Sequence, residues 1–121
     1  MKIDELNRYL SKLEGEGYIE KLDMDKGTLL FKFCGSVGGP YDDGEIELTF
    51  HDVEVINLPT GMILPARLEQ VNQEQDKNII GVNYHSYDRN LYNIYDDTGI
   101  TWHVYAGSFS VNVLPIFWKR S

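Results

Sequence analysis

CGSVGGPYDDGEIELTF, residues 34–50, sets the architecture of the chain, because its glycine-rich first part admits two readings and the strand behind it selects one. Glycines and a proline stand beside Asp42, Asp43 and Glu45, as in a ligand loop or in a hairpin turn. A phosphate-cradling loop needs backbone N–H groups opening a helix and a nearby cation. Here the loop runs instead into IELTF, where Ile46, Leu48 and Phe50 alternate with Glu45, Glu47 and Thr49. That period of two is a half-buried strand with its glutamates on the outer face, so the loop is a hairpin turn.

The period persists on both sides. Upstream, YIEKLDMD and TLLFKF flank Asp25-Lys26-Gly27, which predicts a second hairpin with Gly27 at positive φ. Downstream, Val53 and Val55 continue in shifted phase, which places a bulge or tight turn at His51-Asp52. LPTGMILP, residues 58–65, holds two prolines and a glycine and reads as an irregular connection. Beyond it ARLEQVN, NIIGVNYH, LYNIY, ITWHVY and SFSVNVL read as strands, with DDTG as a tight turn ending in Gly99. Only the N-terminus changes period: Ile3, Leu6, Tyr9, Leu10 and Leu13 have helical spacing, and Gly15 and Gly17 are expected to stop that helix. The expected fold is mainly β, an antiparallel sandwich or partly open barrel of eight or nine strands with one short N-terminal helix. At 121 residues it forms one domain, with the helix at 1–15 packed on a sheet and β-rich parts at 17–58 and 66–118.

Composition narrows the function. With 11 basic and 19 acidic residues the net charge is −8, which disfavours nucleic acid, since every phosphate contact needs a Lys or Arg. No apolar run reaches the roughly 20 residues of a membrane span, and MKIDELNRYL lacks the core of a signal peptide, so a cytoplasmic protein is expected. Cys34 is the single cysteine and reads as a buried strand-end thiol. His51, His85 and His103 lack the spacing of paired metal ligands. Cys34 or Ser86, Ser108 and Ser110 beside a histidine supply nucleophile sets of the kind chance provides, without a nucleophile elbow. Asp pairs at 23/25, 42/43 and 96/97 fall in turns, where Asp binds its own backbone, and turn chemistry is preferred over calcium. No catalytic residue, metal or cofactor is assigned.

The charge is arranged unevenly. No Lys or Arg lies between Lys32 and Arg67, while Asp42, Asp43, Glu45, Glu47, Asp52 and Glu54 all do. If they project together they form an acidic face that steers a basic protein partner; the other reading is a solvated, aggregation-resistant sheet face. Aromatic residues crowd the second half, and Tyr92 and Tyr105, out of phase with their apolar neighbours, are candidates for an exposed contact cluster.

GYIEKLDMDKGTLLFKF followed by EIELTFHDVEVINLP, within residues 17–59, resembles small bacterial immunity proteins of polymorphic toxin systems, of the immunity-protein-50-like type. The resemblance implies a cytosolic, non-catalytic β protein that neutralises a toxin by binding it, and it transfers no functional residue. The alternatives are a calcium- or carbohydrate-binding sandwich using the Asp turns and tyrosines, and a small domain without a ligand. Oligomeric state stays open.

Overall fold

A computed structural model describes residues 1–36, 43–71 and 89–114. Among the described residues helix α1 (Ile3–Leu10) is followed by nine strands: β1 (Glu14–Asp23), β2 (Thr28–Ser36), β3 (Asp43–His51), β4 (Val55–Asn57), β5 (Gly61–Ile63), β6 (Arg67–Val71), β7 (Asn90–Tyr95), β8 (Thr101–Ala106) and β9 (Ser108–Val113). They form two antiparallel sheets, ordered β5-β1-β2-β3-β9 and β4-β8-β7-β6, a sandwich-like mainly β fold and not a closed barrel. No described helix is long and apolar enough to cross a membrane.

The alternation read from the sequence builds the core. Leu29, Phe31 and Phe33 on β2 and Ile46, Leu48 and Phe50 on β3 are all buried, and they meet Leu68, Tyr92, Ile94, Val104 and Ala106 of the second sheet. The turns at Gly27 and Gly99 hold, with φ 65° and 85°, and β2 and β3 pair antiparallel on either side of the glycine-rich turn, whose residues 37–42 lie outside the described residues. The phase change at His51-Asp52 is a corner between sheets: Asp52 takes φ 54°, a conformation Asp tolerates better than most residues. Backbone bonds pin the corner, Val53 N–H to Gly27 C=O at 2.9 Å, Gly107 N–H to His51 C=O at 2.9 Å and Glu54 N–H to Tyr105 C=O at 2.8 Å.

Three expectations are corrected. The helix ends at Leu10 and not near Gly15, and Leu13 reaches the core from beyond it. An eight-residue helix is marginal alone, so burial of Leu6, Leu10 and Leu13, about 1.5–3 kcal/mol each, is what holds it. Its leucines join the core shared by both sheets, and α1 also runs beside edge strand β6: Asn7 Nδ2 donates to Leu68 C=O and Asn7 Oδ1 accepts from Leu68 N–H, each at 2.8 Å, so one amide imitates a neighbouring strand. Gly15 and Gly17 belong to β1. The 58–65 connection is not wholly irregular, since Gly61–Ile63 pairs with β1 through Glu16 and Ile63, Gly17 and Met62, and Tyr18 and Gly61. The NIIGVNYH strand and the second Asp pair's Asp42 lie outside the described residues.

Candidate functional site

The outer face of the first sheet carries the acidic residues. Cross-strand register aligns Glu16, Cys34 and Glu45 in one row and Tyr18, Lys32, Glu47 and Asn112 in the next. A bulge between Ile19 and Lys21 brings Glu20 to the same face, where it reaches Lys32. Lys32 Nζ stands 2.6 Å from Glu45 Oε1 and 3.4 Å from Glu20 Oε2, and the bond to Glu45, opposed by partial burial and supported by Glu20, raises its pKa. Glu47 Oε1 accepts from Asn112 Nδ2 at 2.9 Å. Glu14 and Glu16 are exposed and form no ion pair with the described residues. By register the face thus presents Glu14, Glu16, Glu45 and Glu47, joined by Glu20 at the bulge, against Lys21 and Lys32, and Asp43 holds a position in the row of Glu14 and Ser36, so carboxylates outnumber lysines there.

At the centre of this face Cys34 is half-buried, on the outer side of β2 and not sealed at a strand end. Burial and the neighbouring Glu16 and Glu45 push its thiol pKa up, which keeps it protonated and weakly nucleophilic. Burial and Cys34 likewise raise the Tyr18 hydroxyl.

The six acids singled out by sequence do not stay together. Glu45 and Glu47 share the outer face, and Asp43 occupies a register position opposite Ser36 on β2. Asp52 and Glu54 leave it, because the chain changes sheets at the left-handed Asp52. Glu54 Oε2 lies 3.7 Å from Arg89 Nη1, and Arg89 Nε donates to Asp52 C=O at 2.8 Å. The expected exposed tyrosines are a further correction, since Tyr92 is 2% and Tyr105 1% exposed. Tyr92 faces the core between Phe50 and Phe109, with centroids 5.4 and 5.5 Å away. Tyr105 sits on the opposite side of the sheet in a second apolar cluster with Val71 and Leu91. Residues on both faces of β7 and β8 are buried, so parity does not separate inside from outside there.

Two polar constellations were not anticipated. On the first sheet His51 Nε2 and Ser110 Oγ are 2.9 Å apart. On the second, a chain of bonds crosses three strands. Asn93 Nδ2 donates to Tyr95 Oη at 3.3 Å and Tyr95 Oη donates to Glu69 Oε1 at 3.0 Å. Asn93 therefore offers Oδ1 to His103, 2.7 Å away, which places the imidazole proton on Nδ1 and leaves Nε2 as an acceptor. Burial lowers the His103 pKa, so the ring is neutral at pH 7. Alternation of Asn93 and Tyr95 with Tyr92 and Ile94 was the available signal, but only register shows that His103 and Glu69 oppose them.

The turn aspartates perform turn chemistry. Asp23 Oδ1 accepts from Lys26 N–H at 3.1 Å. Asp96 Oδ1 accepts from Thr98 N–H at 2.8 Å and from the Thr98 hydroxyl, and Oδ2 from Trp102 Nε1 at 3.0 Å. Burial alone would raise the Asp96 pKa, but these bonds outweigh it and hold it low. Among the described residues no three His, Cys, Asp or Glu side chains converge as metal ligands. No protein-family model, curated protein or solved structure matches the chain.

Proposed function

We propose that this protein acts by binding a basic protein on the outer face of its first sheet, without catalysis, in the manner of an immunity protein that neutralises a toxin. One observation carries the reading: five carboxylates share an open sheet face with two lysines, one of which is already held between Glu45 and Glu20. The residual negative charge steers a cationic surface toward it at a rate that falls as salt shortens the Debye length to about 10 Å at 0.1 M. Tyr18 at the centre of the face adds rigid aromatic area, the kind of residue on which interface energy concentrates. The test is binding to a basic protein encoded beside this gene, measured by calorimetry at two salt concentrations. Glu16→Lys with Glu47→Lys should weaken binding at least about 100-fold, since like charges facing across an interface cost several kcal/mol. Undiminished affinity, with the fold retained, refutes the acidic-face reading.

A second reading is favoured by a separate feature. A cleft of about 390 Å³ opens between α1 and the β7–β8 turn, lined in part by Asn7, Ser11, Arg67, Tyr95 and Asp97. Its size falls within the roughly 300–1,000 Å³ of small-molecule sites. The Arg67 guanidinium lies over the Tyr95 ring at 4.8 Å from its centroid, which orients donors at the cleft wall. Hydroxyl-rich ligands such as sugars suit that mix, and thermal shift against a monosaccharide panel tests it, an unchanged melting temperature throughout counting against it.

A further inference from the structure

The corner that carries Asp52 and Glu54 away from the acidic face builds a different surface. A groove of about 280 Å³ lies between the β1–β2 hairpin tip and the β3–β4 corner, lined by Leu22, Met24, Gly27, Val53, Glu54 and Ile56. Leu22 pairs with Leu29, a core residue, yet is 45% exposed, and Met24 beside it is 76% exposed. Val53 and Ile56 are partly buried and pack against the main core, so the groove is an open margin of that core, lined from β1 by Leu22 and from edge strand β4 by Ile56. Its volume is below the usual range of small-molecule sites and fits one large side chain. Clustered apolar exposure of this kind marks interaction surfaces, and methionine adapts to varied partners.

Charge selects the occupant. The hairpin and corner contribute Asp23, Asp25, Asp52 and Glu54 against Lys26 and Arg89, four minus two, or −2. Asp52 makes no ion pair with the described residues. We infer that this groove receives a single apolar side chain from a partner protein segment that carries Lys or Arg on either side of it. The inference shares with the reading above the basic character of the partner and uses a different surface, so the two stand or fall separately.

The probe is the peptide acetyl-Lys-Phe-Lys-amide, followed by methyl-resolved NMR of the full chain, with acetyl-Lys-Gly-Lys-amide and acetyl-Glu-Phe-Glu-amide as controls. Saturating shifts are expected at the Leu22, Met24, Val53 and Ile56 methyls, at least about tenfold weaker for either control. Met24→Ser, a change at an exposed position that spares the core, should weaken the Phe peptide by a similar factor, whereas Glu16→Lys with Glu47→Lys should not. Equal binding of the Gly peptide, shifts confined to the outer face of the first sheet, or no methyl shift at millimolar peptide would each overturn the inference. The first two of those outcomes leave the acidic-face reading intact.

Discussion

Replacing Gly17 by alanine tests how tightly the sandwich closes over β1. A Cβ at Gly17 would lie 2.7 Å from Phe31 Cε1, 2.8 Å from Phe33 Cδ1 and 3.0 Å from Phe33 Cε1. Carbon atoms rest at about 3.5–4.0 Å, so the new methyl overlaps both rings by most of an ångström. Neither ring has room to retreat: both are fully buried, with centroids 5.0 Å apart and planes tilted by 53°. Overpacking of this kind costs roughly 1–3 kcal/mol. Against it stands the entropy an alanine removes from the unfolded chain, about 0.4–1 kcal/mol in favour of the variant. Because the methyl meets two rings at once, the clash takes the upper part of that range, about 2–3 kcal/mol, and wins, so Gly17→Ala should lose about 1–2.6 kcal/mol, a melting drop of roughly 4–10 °C for a domain of this size. Gly61 lies across the register from this region, pairing with Tyr18, and a Cβ there meets only the Gly17 carbonyl oxygen at an ordinary 3.6 Å. Gly61→Ala should therefore gain the entropic term alone and melt slightly higher. Chemical denaturation with unchanged m-values gives both numbers. A Gly17→Ala protein as stable as the parent, or the same sign for both variants, would show that the packing over β1 is not as argued.

Asn7→Ala should cost about 1–3 kcal/mol by stripping the Leu68 N–H and C=O of their partners, and hydrogen exchange at the Leu68 amide should quicken more than at central strands. His103, whose pKa is lowered by burial, binds its proton less readily folded than unfolded; its contribution is intact above the ordinary value of about 6.5 and is lost as pH falls through the folded pKa. Denaturant titrations of the parent between pH 7 and 5 should thus show a decline that His103→Gln flattens. Asp96→Ala removes the acceptor of Trp102 Nε1 and of the Thr98 donors, so the indole emission should shift and stability fall by about 1–2 kcal/mol. Because the Asp96 pKa is held low in the fold, its contribution is complete above the unfolded value near 3.9 and disappears as pH drops through the folded one.

Period alone recovered the strands that have one wet face. β3 was legible residue by residue, because Ile46, Leu48 and Phe50 enter the core while Glu45, Glu47 and Thr49 do not. β7 and β8 were legible as strands but not in orientation, since Leu91 and Tyr105 are buried on one side and Tyr92, Ile94 and Val104 on the other. β5 escaped because a three-residue strand between Pro59 and Pro65 carries too little pattern, and it exists through its pairing with β1. Gly17 was misread as a helix stop because a glycine required by two phenyl rings from the next strand looks the same in sequence as one required by a turn.

The candidate site shows where such reading ends in principle. Alternation states which charges share a face, but register states which of them cancel. The stretch without Lys or Arg between Lys32 and Arg67 is real, yet Lys32 itself pairs across the strand with Glu47 and bonds to Glu45 one row away. Farther along, Arg89 arrives from beyond the gap to meet Glu54. The charge that survives on the first sheet therefore owes much to Glu14 and Glu16, on a strand that carries four acidic residues against Lys21 alone. Lys21 is aligned with Leu30 and Thr49, two rows from Glu16, which stands in line with Cys34 and Glu45. The one lysine of β1 thus leaves the Glu14–Glu16 end of the strand uncompensated, and it is Glu16, absent from the sequence-derived set, that charge reversal must include.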